Sequence, residues 1–74
     1  MDLGNLEDLE RIENYLLEIR GILNPEDGPY ICDAIVANIS DELLADLIMD
    51  MLIRMNYKPK TIKKIIQKVK EIQS

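Results

Sequence analysis

Apolar residues recur at steps of three and four along nearly the whole chain, and no segment alternates as a half-buried strand would. Leu9, Ile12, Leu16, Ile19 and Leu23 trace one stripe and predict a first helix over about 5–22. Asn5 is its candidate cap, and Glu7 and Asp8 suit the positive end of the helix dipole. Asn24 before Pro25 is pushed out of the helical region, and two prolines and a glycine within 24–29 make that stretch a loop. Pro29 suits the first position of a second helix, about 29–39, with Asp27 or Gly28 as cap and Ile31, Ile35 and Ile39 repeating every four.

Ser40-Asp41-Glu42 reads as a new start, a capping hydroxyl followed by two acids, and favours a break there over one continuous helix from 29 to 55. The third helix, about 41–56, places Leu44, Leu47, Ile48, Met51, Leu52 and Met55 on its main face. Met49 and Ile53 fall elsewhere, on what should be its polar side, so this helix is either central or touches another chain. Asn56 tolerates the left-handed backbone that ends helices, and Pro59 opens a fourth helix, about 59–73. Its apolar face holds Ile62, Ile65, Ile66, Val69 and Ile72. The expected fold is therefore all-α: a single domain, 1–74, built as a small bundle of four short amphipathic helices.

Composition narrows the chemistry. Of 74 residues, 47% are hydrophobic but only 4% aromatic, and twelve Ile and ten Leu dominate the apolar stock. That is core material, not the aromatic platform on which bases stack. The chain has no His, one Cys, two Ser and one Thr. Nucleophile triads and Cys/His zinc sites within one chain are excluded, no cofactor is implied, and an enzyme is not expected. Cys32 has no partner for a disulfide, which fits an intracellular, cytoplasmic setting, and beside Ile31 and Ile35 it reads as a buried structural thiol. Tyr15, Tyr30 and Tyr57 read as core-edge residues with their hydroxyls in water. No apolar run reaches the length of a membrane span, so no membrane association is expected.

Charge adds a polarity. Formal net charge is −5. Residues 1–56 carry three arginines against thirteen acids, and residues 57–74 carry six lysines against one glutamate. Lys58, Lys60, Lys63, Lys64, Lys68 and Lys70 form a basic face for an anion or a partner. Three fates are open to it: solvation, neutralisation by the acidic stripe Glu42, Asp46 and Asp50, or an anionic partner. The same acidic stripe is read as a solvated or lysine-paired face before a metal site, because no His supports it.

Met55 to Ile66 resembles the turn and second helix of the helix-turn-helix family. Asn56 stands at the Gly of that pattern and Tyr57 at the apolar position after it, while Thr61, Ile62 and Ile65 fall as the pattern asks. The resemblance covers a minor part of the chain and implies that Lys60, Thr61, Lys63 and Lys64 face a DNA groove or its phosphates. Two positions differ: Leu52 where a small residue is usual, and Lys58 where the family caps with Ser. A fainter likeness, through Tyr30-Ile31 and Val36-Ala37-Asn38, is to PWI-like helical domains, without their tryptophan.

A chain this short buries only about 60% of its unfolded surface and has no staple. Leu6, Leu17, Ile22, Met49 and Ile53 remain outside the main stripes, and burying them between two copies would help. Leu17, Ile22, Met49 and Ile53 are therefore the candidate partner-binding residues. The expected function is a non-enzymatic protein–protein interaction module, an acidic helical regulator, inhibitor or assembly subunit acting as a homodimer. The alternative is a nucleic-acid-binding protein using the basic last helix.

Overall fold

A computed structural model describes residues 6–74. It contains α1 (Leu6–Ile22), α2 (Gly28–Ala37), α3 (Leu44–Arg54) and α4 (Pro59–Gln73), and no strand among the described residues. The expected Asn5 cap and the Leu6 side chain lie outside the described residues. Each helix packs on the next, and α4 closes the ring by packing on α1 as well as α3. The radius of gyration, 11.6 Å, is that of a compact chain of this length, about 11 Å. No described helix is long and apolar enough to cross a membrane.

The core is aliphatic. Ile19, Ile31, Ile35, Leu44, Ile48, Leu52, Ile65, Val69 and Ile72 are fully buried, and Ile12, Leu23, Cys32 and Ile62 nearly so. No polar or charged side chain is buried with them among the described residues. Each helix supplies its stripe of threes and fours to this one cluster.

The boundaries shift where side chains compete with the helix backbone. The break between α2 and α3 is present, but the helix start falls later than Ser40 and Asp41. The Asp41 carboxylate accepts from the Leu43 N–H at 2.9 Å, and its carbonyl accepts from Leu44 N–H at 3.1 Å. That turn consumes residues 41–43, so α3 begins at Leu44 and not 41. Asn38 ends α2 two residues early, its backbone N–H and its side-chain amide both donating to the Ala34 carbonyl. Ile39 still packs against the core from outside the helix. At the end of α3, Asn56 adopts φ 66°. Asn56 N–H bonds the Ile53 carbonyl and Tyr57 N–H bonds the Leu52 carbonyl. This is the paired-bond arrangement that closes helices, with Asn in place of Gly, and it ends α3 at Arg54.

Two expected core residues are exposed. Leu9 extends past the partner it needs: Arg11, two residues later, already bonds the Glu71 and Ile72 carbonyls at the end of α4, and α4 runs out there. Leu47 is left 38% exposed at the edge of the α3 stripe, whose core-facing side is filled by Leu44, Ile48 and Leu52.

Polar ties hold the ends of the bundle. Arg11 caps the last turn of α4, where a cation is favoured. The Gln73 amide donates to the Ile39 carbonyl at 3.0 Å and the Asp41 carbonyl at 2.7 Å, fastening α4 to the α2–α3 connection. At the opposite end the Tyr57 hydroxyl accepts from Asn24 N–H at 3.1 Å and donates to the Asp27 carboxylate. Tyr57 is thus not a water-facing edge residue; it binds the α3–α4 turn to the α1–α2 loop. Asp27 precedes α2 but makes no capping bond with its side chain, which is committed to Tyr57.

This tie titrates. Partial burial, then the Asp27 hydrogen bond, hold the Tyr57 hydroxyl above its ordinary value of 10.0, against the lowering effect of Asn24 N–H. A group whose folded pKa is raised binds its proton more tightly in the folded chain. Its contribution is therefore whole below about pH 10 and disappears as pH climbs through the folded value. Tyr57→Phe is expected to cost about 1 kcal/mol near neutral pH and to flatten that alkaline loss. Denaturant unfolding at neutral pH and across the alkaline range measures both.

Candidate functional site, a groove between the last two helices

The α3 surface turned toward α4 is wider than the core needs. At about 100° per residue, Met49 and Ile53 follow Leu52 round the helix and fall beside α4. From α4, Ile62 and Ile66 project toward them from the edge of its buried stripe. Together they line an open groove of about 610 Å³, with Lys63 and Lys70 on its α4 bank. Ile53 is 56% exposed and Met49 38%, large values for apolar side chains that sit side by side.

The four residues singled out from the sequence as partner-binding do not form one surface. Met49 and Ile53 line this groove. Leu17, 61% exposed, lies on the α1–α2 seam beside Val36. Ile22 is half-buried against the core and offers little to a partner. Ile62 and Ile66 do pack on the core as their spacing predicts, and their outer edges also border the groove, which spacing alone does not show. The available signal was the width of the α4 stripe, where adjacent Ile65 and Ile66 cannot both point straight inward.

The lysines divide. Lys68 donates to the Glu18 carboxylate at 2.9 Å, and this bond raises its pKa. Among the described residues no acidic side chain pairs with Lys58, Lys60, Lys63, Lys64 or Lys70. The stripe Glu42, Asp46 and Asp50 does not neutralise the lysines: Asp50 pairs with Arg54 of its own helix at 3.1 Å, and the other two acids make no ion pair among the described residues. Of the positions implied by the helix-turn-helix resemblance, Lys60, Lys63 and Lys64 are exposed and Thr61 is half-buried. The Gly position of that pattern has the left-handed backbone it requires, at Asn56. Lys58 precedes α4 without a side-chain capping bond, and the bulky Leu52 is accommodated by full burial.

The other groups with shifted pKa values lie outside the groove. Burial pushes the Cys32 thiol up from its ordinary value, and its Sγ donates to the Leu16 carbonyl at 3.5 Å. A protonated thiol is a poor nucleophile. The described residues contain no cluster of three or more His, Cys, Asp or Glu able to hold a metal ion. The Tyr15 hydroxyl is raised chiefly by hydrogen bonding to Glu71, and Tyr15 sits half-buried in a shallow hollow with Arg11, Asn14 and Glu18.

No family model matches the sequence, and neither the curated proteins nor the solved structures contain a match. The surfaces themselves are the ground for a functional reading.

Cys32 is expected to react with an aromatic disulfide reagent at neutral pH at least about tenfold more slowly in the folded chain than in denaturant. Stopped-flow absorbance in both conditions measures the ratio.

Proposed function

We propose that the chain is a non-enzymatic protein–protein interaction module, a small acidic helical regulator, inhibitor or assembly subunit, and that it self-associates as a homodimer. The observation that carries this reading is the groove of Met49, Ile53, Ile62 and Ile66, left open by the bundle that forms it. Adjacent aliphatic side chains in a concave seam are costly to leave in water, and covering them with helices is the common use of such a seam. The scarcity of catalytic residue types and the protonated, buried Cys32 support the same reading. Sedimentation velocity should give a dimer that dissociates on dilution. Met49→Glu and Ile53→Glu should each raise the dissociation constant at least about 100-fold, because a carboxylate would be buried in an apolar seam. Circular dichroism should show unchanged helicity, since both positions are exposed. A wild-type chain that stays monomeric at every concentration sinks the homodimer.

A second reading, nucleic-acid binding through α4, is favoured by the unpaired Lys58, Lys60, Lys63, Lys64 and Lys70. Its footprint is electrostatic: binding of an arbitrary duplex at low salt, falling steeply as salt is added and weakened by Lys60→Gln and Lys64→Gln. Fluorescence anisotropy checks it, and an absence of binding at low ionic strength removes it.

A further inference from the structure

The groove has a basic bank on α4, and the outer surface of α3 beyond its floor is acidic. Lys63 and Lys70 line the α4 side. On α3, Asp46 and Asp50 are exposed. At about 100° per residue they come next round the helix beyond Met49 and Ile53, on the side away from the core. Asp50 shares its charge with Arg54 through a solvent-exposed contact, which holds it weakly; Asp46 makes no ion pair among the described residues. The apolar floor thus lies between the lysines that line the groove and two carboxylates just outside it on α3.

A surface of that kind is complementary to itself in one orientation only. Two copies can meet groove to groove about a two-fold axis in two ways. With the axis across the groove, α3 lies over the partner's α3, and carboxylates face carboxylates while lysines face lysines. With the axis along the groove, α3 lies over the partner's α4, and both pairs of banks meet with opposite charge. Like charges set against each other penalise the first arrangement, and the second gains at both rims.

We infer that the groove is occupied by a second copy of this chain, with the two-fold axis running along the groove, so that each α3 packs on the partner's α4 and Asp46 and Asp50 face the partner's lysine bank. This rests on the interaction-module reading and adds the partner and its orientation. The product is an intermolecular four-helix layer, two helices from each copy, with Met49, Ile53 and Ile66 as its shared core. The other unpaired lysines, Lys58, Lys60 and Lys64, are not needed for it.

Charge reversal tests the orientation without touching the apolar floor. Asp46→Lys and Lys63→Glu are compared singly and together by sedimentation velocity, with helicity checked for each. Each reversal occurs at both symmetric rims, so each alone should weaken the dimer about 5- to 30-fold. The double variant should recover most of the loss, because the swapped banks are again complementary. A dimer indifferent to both reversals, or a double variant as weak as the sum of the singles, overturns this orientation and leaves the interaction module standing. Wild-type monomer at all concentrations overturns both the orientation and the homodimer.

Discussion

Ile19, Ile35, Ile48, Leu52 and Ile65 come from all four helices and meet where water is wholly excluded. Burying one such side chain is worth about 1.5–3 kcal/mol, whereas an exposed ion pair such as Arg54–Asp50 is worth about 1 kcal/mol or less. The helices are too short to be stable by themselves in water; they persist because each lends its stripe to a common interior. Every other feature of the molecule, including the groove, is a consequence of how four such stripes can be satisfied at once. α3 and α4 have more apolar circumference than their neighbours can cover, and the excess becomes the exposed seam.

The polar contacts do a different job. Arg11, Gln73 and Tyr57 each reach backbone groups or side chains far away in sequence, and all three act at the ends of the bundle. An aliphatic interior is tolerant of sliding and rotation, because its contacts are not directional. Hydrogen bonds to particular carbonyls are directional, and these fix which turn of α4 sits against which connection. The cost is visible at Asp27, which gives up the cap of its own helix to serve Tyr57.

Much of this was legible in the residues. Steps of three and four mark all four helices, and the left-handed turn at Asn56 and the break after α2 follow from local chemistry. Local chemistry also explains the errors: Ser40 and Asp41 both carry side chains able to cap, and the one that wins does so through the geometry of the following turn. Leu9 and Leu47 show a different limit. Spacing says which residues share a stripe but not how far along it a neighbour extends. The Tyr57 tie has no local signature, since its partners lie some thirty residues upstream. The groove is the hardest case, because Met49 and Ile53 look like surplus until α4 is laid beside them. Which surplus residues meet is a property of the packing, and Leu17 and Ile22 went elsewhere.

The Gln73 amide has an implication for how the chain reaches this state. Its two acceptors, the carbonyls of Ile39 and Asp41, flank the joint between α2 and α3. They can be in place only after that joint has formed. The last helix therefore works as a buckle: it fastens the belt at the α2–α3 connection, and drawing it tight spans more than thirty residues of intervening chain. Closing so long a loop is entropically dear until it brings the α4 stripe into the interior at the same stroke. Fastening and filling are one event, and a belt of this kind is either shut or undone.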